Sequence, residues 1–157
     1  KFLVRRIGRR ENSLPITEVE AYDGFSDKAS HASRGMTQRN APMFGSAGVW
    51  YVYFTYGMHW MLNITTGPKG YPAAVLIRGA GEVSGPARLT KKLSITKQCN
   101  NKPANRAAGL WIEDRGVMVA KRDITRLPRV GVDYAGSVWS KKKYRFRVGV
   151  DFLGWKR

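Results

Sequence analysis

Val49 to Thr66 reads VWYVYFTYGMHWMLNITT, and the fold follows from how this stretch is parsed. Two aromatic and β-branched runs, Trp50 to Tyr56 and His59 to Thr66, meet at Gly57-Met58. Such runs joined at a glycine predict a β-hairpin. Alternation puts Tyr51, Tyr53 and Thr55 on one face and Trp50, Val52, Phe54 and Tyr56 on the other. Turns favour small polar residues, yet this one carries Tyr56, Met58 and His59. Either the aromatics pack the core of a sheet, or the tip is a wedge aimed at something flat.

The segments on either side extend the β pattern. Phe2 to Ile7 predicts a strand, Gly8 to Ser13 a turn, and Pro15 to Tyr22 a strictly alternating strand with Ile16, Glu18 and Glu20 on one face. Two carboxylates on that face are either solvent-facing and paired with the abundant cations, or one of them is a general base. Asp27 to Ala32 predicts a short helix. Ser33 to Gly48 reads as a loop that is either a solvated basic segment or one in which Arg34, Thr37 and Arg39 are donors of the kind that hold phosphate oxygens. Ala73 to Arg78 reads as a buried strand, and its final arginine needs a carboxylate, a phosphate or water to receive it. Gly85-Pro86 opens a helix that runs to Leu93 and turns free amides outward. Lys97 to Gly109 is a polar connector. Leu110 to Glu113 and Val117 to Ala120, around Asp114-Arg115-Gly116, predict a second hairpin. Ile124 to Val132, with Pro128 inside, predicts an edge strand, and Tyr144 to Val150 a strand with Arg145 and Arg147 outward. The expected architecture is a single α+β domain over residues 1–157, mostly antiparallel. The chain starts at Lys1 inside a strand, so a preceding segment is expected to be missing from it.

Composition narrows the partner. Lys and Arg total 28 against 11 Asp and Glu, a formal charge of +17, while 43% of the residues are hydrophobic. A chain that is both globular and this basic is expected to meet a polyanion, nucleic acid first. No apolar run approaches the roughly 20 residues of a bilayer-spanning helix and no signal peptide is visible, so a soluble intracellular protein with no membrane partner is expected. The lone Cys99 cannot form an internal disulfide, and with His31 and His59 it offers no metal-binding spacing. No metal and no cofactor is expected.

The motifs, taken together, resemble the alkyladenine (3-methyladenine) DNA glycosylases. The resemblance runs from Phe2 to about Phe152 and rests on TEVEAYDG (17–24), SHASRGMTQRN (30–40), MFGSAGVWYVYFTYGMHWMLNITTG (43–67), AAVLIRGAGE (73–82), GPARL (85–89) and GVDYAG (131–136). It implies a curved, partly open, barrel-like antiparallel sheet with a few short flanking helices. It also implies an enzyme that flips a damaged purine, alkylated or deaminated, out of duplex DNA and cleaves its N-glycosidic bond, leaving an abasic site. Glu20 would activate the attacking water, with Arg78 helping to hold that water and the flipped nucleotide's phosphate. Tyr22, His31 and Tyr53 would form the base pocket, with Asn63 placed to crowd guanine's exocyclic amine. Tyr56 would fill the gap in the duplex, with Met58 and His59 beside it in the groove and Arg34, Thr37 and Arg39 on the backbone. Gln38 stands where many relatives carry proline, which implies a looser loop.

The resemblance implies a monomer acting on double-stranded DNA in the cytoplasm or nucleoid, or in the nucleus of a eukaryote. The alternative is a non-enzymatic nucleic-acid-binding β-domain that uses the same basic surface and aromatic stacking. On either reading, duplex binding should weaken with salt along a log–log slope of about 0.9 per neutralised phosphate. Fluorescence anisotropy between about 50 and 200 mM salt measures this slope, and a flat dependence would contradict the electrostatic reading.

Overall fold

The computed structural model describes residues 1–149. Val150, the end of the last predicted strand, and the Phe152 limit of the sequence resemblance lie outside the described residues. β1 (Phe2–Ile7) turns directly into β2 (Arg10–Asp23), so the predicted turn over Gly8 to Ser13 shrinks to Gly8-Arg9. β2 changes partners along its length. Arg10 to Pro15 pair with β1, whereas Ile16 to Asp23 pair with β5 (Ala73–Ala80). On the other side of that second half, Glu18 to Glu20 pair with β9 (Arg145–Val148). The changeover falls at Pro15, which has no amide hydrogen to give a ladder and whose carbonyl receives the Gly81 N–H at 2.7 Å.

The predicted hairpin forms as β3 (Trp50–Thr55) and β4 (His59–Thr65), and β4 lies against β5. The main path runs β3-β4-β5-β2-β1-β7, with β7 (Leu110–Glu113) on β1. Beside this path β6 (Val83–Ser84) pairs with β5, and β8 (Ile124–Leu127) pairs with β9. Every pairing is antiparallel, and the described strands form one curled, half-open sheet. Among the described residues two short α-helices, α1 (Pro86–Lys92) and α2 (Gly136–Lys141), flank it. This is the α+β, mainly antiparallel architecture that the sequence predicts. No helix among the described residues is long and apolar enough to cross a membrane.

The core reading of the hairpin holds for one of its faces. Trp50, Val52 and Leu62 point into the main core with Leu3, Ile77 and Leu110, and Leu89 of α1 and Leu93 at its C-cap close that core. The Trp50 indole, fully buried, donates to the Leu110 carbonyl at 3.0 Å, so its polar atom is satisfied. Tyr51 and Tyr53 face the other way, toward Ala32, Met43 and Ala74. Tyr56 departs from its expected face. It sits in the turn at φ 52°, a left-handed conformation that costs a non-glycine residue on the order of 1 kcal/mol. The following Gly57, at φ 64°, takes the same conformation freely.

Other expectations need correction. The segment from Asp27 to Ala32 is not a helix; a 3-10 turn runs instead over His31–Arg34, capped by the Ser30 hydroxyl. The second hairpin is absent. β7 pairs with β1, and residues 117–120 form no strand; between them the Asp114 carboxylate accepts the Gly116 amide. β8 ends at Leu127, before Pro128, and not at Val132. Arg145 is not turned to solvent: it donates to the Pro128 carbonyl and to Glu18.

The connector over Lys97 to Gly109 finds its use on the outer edge of β3. Trp50 receives the Asn101 amide and donates to Lys102, the Val52 amide reaches the Asn100 side chain at 2.8 Å, and Val49 bridges to Pro103. The loop carrying Gln38 is pinned by buried Asn40. Its amide donates to the His31 and Gly35 carbonyls and its oxygen accepts from Thr37.

Asp27 and Arg129 form an ion pair in which neither side chain is exposed. Asp27 also accepts the Asp23 and Ala29 amides, and Arg129 donates to the Ala21 carbonyl. The pair therefore ties the segment after β8 to the end of β2. Breaking a buried pair strands one charge, so Asp27→Asn should cost about 3–5 kcal/mol of unfolding free energy. Urea denaturation measures it, and a loss below about 1 kcal/mol would mean that no buried charge is left stranded.

Candidate active site

Strand register assembles a transverse row across four strands. Tyr51 stands opposite Asn63, Asn63 opposite Leu76, and Leu76 opposite Glu20. Because side chains alternate, Tyr53, Met61, Ala74, Arg78 and Tyr22 fall on the same face two residues away along their strands. This face lines a cavity of about 310 Å³, completed by Ser30 and His31 from the 3-10 turn and by Val130, Gly131 and Tyr134 from the segment after β8. That is at the lower end of the roughly 300–1,000 Å³ usual for small-ligand pockets, room for one flat ring system.

Glu20 has no solvent exposure, and each carboxylate oxygen is spoken for. Oε2 accepts the Tyr22 hydroxyl at 3.0 Å, and Oε1 accepts the Val130 amide at 2.8 Å with Arg78 Nη1 at 3.4 Å. Buried carboxylates persist only with such partners. Arg78 reaches this point because it is an extra residue in its strand. Val19 pairs with Ile77 and Glu18 with Gly79, so Arg78 has no partner across the ladder and forms a β-bulge. A second irregularity follows at Thr17, between the Ile16–Ala80 and Glu18–Gly79 pairs. Glu18 is buried as well and holds Arg78 Nε at 3.1 Å.

The aromatic wall is built by contact between rings. His31 and Tyr53 meet edge to face with centroids 4.7 Å apart, and Tyr51 and Tyr53 lie 5.1 Å apart. His31 Nδ1 is 3.0 Å from the Tyr51 hydroxyl. Arg39 lies over the Tyr53 ring at 5.1 Å and donates to the Phe54 carbonyl. Behind Tyr22 the Arg129 guanidinium lies 4.8 Å from the ring centre.

A family model described as "Methylpurine-DNA glycosylase (MPG)" matches residues 1–151. The chain belongs to this family. Among its curated relatives is a protein of Methanocella arvoryzae named "Putative 3-methyladenine DNA glycosylase", 45% identical over 87% of this chain and 76% of its own length. Proteins of the same name from Sodalis glossinidius and Wolbachia pipientis wMel are each 42% identical, over 84% and 88% of this chain and 78% of their own lengths. The resemblance read from the motifs is thus the family to which the chain belongs.

Within this methylpurine-DNA glycosylase chain, Glu20, Arg78, Tyr22, His31, Tyr53, Asn63 and Tyr56 all line the one cavity. Tyr56 does so because its left-handed backbone brings it to the rim, where 80% of it is exposed. Met58, His59, Arg34 and Thr37 lie outside the cavity walls, exposed on the hairpin tip and the neighbouring loop. Thr37 is engaged locally, its hydroxyl accepting the Asn40 amide. The sequence did not single out Val130, Tyr134, Asp27 or Arg129. Val130 contributes only a backbone amide, which leaves no mark on side-chain identity, and Asp27 and Arg129 are 102 residues apart.

Burial keeps the tyrosine hydroxyls protonated. It raises Tyr22, with Glu20 adding to the effect, raises Tyr53, and pushes Tyr51 up to about 12. Tyr22 therefore remains a donor to Glu20. His31 is held below its ordinary 6.5, first by burial and then by the Arg39 guanidinium, so it is neutral at physiological pH. The unfolded chain binds this proton more tightly than the folded one. Its contribution to stability is thus complete above 6.5 and is lost as pH falls through the lower folded value. An NMR titration of His31 should give a midpoint below 6.5, and Arg39→Gln should raise it only part of the way because burial is the larger cause. A midpoint at or above 6.5 would contradict the burial.

Proposed function

We propose that the protein is a monofunctional DNA glycosylase that extrudes a damaged purine from duplex DNA into this cavity and hydrolyses its N-glycosidic bond. The observation that carries the reading is Glu20, a carboxylate with no solvent exposure at an aromatic-walled cavity in a methylpurine-DNA glycosylase chain. Relatives named for 3-methyladenine support methylated purines as the first substrate class. Deaminated purines such as hypoxanthine are the second.

Cleavage breaks the bond from C1′ to the base and forms one from C1′ to a water oxygen. Positive charge builds on the sugar as the base departs, and a nearby carboxylate both stabilises it and takes the water's proton. Glu20 takes this role. The bonds from Tyr22 and Val130 orient its oxygens, and Arg78 stands across from it to hold water or the nucleotide's phosphate. A purine made cationic by methylation of a ring nitrogen leaves as a neutral molecule and needs no general acid, whereas hypoxanthine leaves with the bond's electron pair and takes up a proton from water. Tyr22, His31 and Tyr53 present rings to the base, and a cationic alkylated base gains on the order of 0.5–2 kcal/mol from their π-faces. With Nδ1 taken by the Tyr51 hydroxyl, His31 offers Nε2 to the bound nucleotide. Asn63, buried and tied to the Tyr51 carbonyl at 3.2 Å, is fixed where it excludes an exocyclic amine.

Extrusion costs a few kcal/mol of lost stacking, least for damaged or mispaired bases. Tyr56, exposed at the rim, offsets part of that by entering the gap, and Met58 and His59 follow it into the groove. Basic residues including Arg34 contact the backbone.

Glu20→Gln keeps the shape and removes the base. Single-turnover excision from duplexes carrying a methylated purine or hypoxanthine should fall by about 10²–10⁴-fold, while affinity for the same duplexes is retained or rises. Excision preserved in the variant would defeat the assignment of Glu20, and absence of excision by the wild-type protein would favour a binding module.

A further inference from the structure

Arg78 has two carboxylates to choose between, and the one outside the cavity holds it more closely. Its Nε lies 3.1 Å from Glu18 Oε1, whereas its Nη1 lies 3.4 Å from Glu20 Oε1. Glu18 is 7% exposed and does not line the aromatic cavity; it borders a separate cleft with Thr17, Glu82 and Arg147. The same Glu18 oxygen receives Arg145 Nη1 at 3.3 Å, and Arg145 is fixed in turn by the Pro128 carbonyl at 2.9 Å. Charges therefore alternate in a line, Arg145, Glu18, Arg78, Glu20, and the line crosses three adjacent strands, β9, β2 and β5.

The bulges explain how Glu18 comes to serve Arg78. Arg78 has no partner across the ladder, so the sheet alone does not fix its side chain. A guanidinium beside a buried carboxylate, with nothing behind it, closes into a two-pronged pair. That closure would occupy the oxygens on which the proposed base depends. We infer that Glu18 is a positioning residue that draws Arg78 back from Glu20, leaving the guanidinium's remaining donors turned to the cavity. The inference rests on the glycosylase reading above. Glu18 touches neither substrate nor the reacting atoms, and it acts only through Arg78.

Glu18→Gln is the test, because it keeps the shape and removes the charge. Arg78 Nε–H, followed by nitrogen-15 NMR of labelled arginine, should exchange with solvent at least about tenfold faster once its charged acceptor is gone. Excision should lose about 10- to 100-fold in kcat, the cost of a misplaced group, with KM little changed. Glu18→Asp, which restores the charge, should recover most of kcat. Unchanged exchange at Arg78 in Glu18→Gln would overturn the inference. So would faster exchange with kcat intact, or a loss of kcat and thermal stability together that Glu18→Asp does not relieve. If the wild-type protein excises no damaged base, the glycosylase reading fails by itself, and exchange at Arg78 still decides whether Glu18 holds it.

Discussion

A carboxylate removed from water has to be given donors, and in this protein the donors for Glu20 come from parts of the chain far apart. Tyr22 lies on the same strand, Arg78 on β5, and the Val130 amide on the segment after β8. Left without them, the buried charge would cost several kcal/mol. The sheet, its bulges and the Asp27–Arg129 tie are therefore conditions for one buried carboxylate to sit where it does. Strength of packing elsewhere in the core does not substitute for these contacts. The Asp27–Arg129 pair contributes indirectly: Val130 follows Arg129 in the chain, so anchoring the arginine places the amide.

The two faces of the sheet answer to different demands. The face with Trp50, Val52, Leu62 and Ile77 is apolar and closed by α1, and it follows ordinary hydrophobic burial. The opposite face mixes tyrosines, Asn63, Glu20 and Arg78 around open space, a composition that stability alone would not favour. One hairpin serves both, since period-two alternation sends successive residues to opposite sides. The inward side of β3 thus supports the architecture while the other side furnishes the cavity.

Much of this was legible in the residues. Alternation in β2, β3 and β5 was enough to put Glu20, Tyr53 and Arg78 on strands, and the ordered motifs pointed to the family. Three kinds of feature were not legible. A tyrosine in a left-handed turn is uncommon, so strict alternation assigned Tyr56 to the wrong face. Bulges at Thr17 and Arg78 shift the count by one residue and leave no signature in the strand pattern. Long-range partners such as Asp27 with Arg129 have no local signal, and Asp27 read instead as the start of a short helix. The false second hairpin has the reverse cause. Asp114-Arg115-Gly116 is good turn chemistry, but the residues beyond it bring no buried face to a strand, with Val117 41% and Met118 85% exposed.

The connector on the outer edge of β3 bears on solubility. VWYVYFT, residues 49–55, is uncharged, aromatic and β-branched, the composition that pairs with copies of itself when its edge is open. Here the backbone groups of Trp50 and the Val52 amide, which would otherwise recruit another chain, are capped within the same molecule by Asn100, Asn101 and Lys102. A segment with no motif of its own thereby lets a strongly aggregation-prone strand be carried at the rim of a sheet.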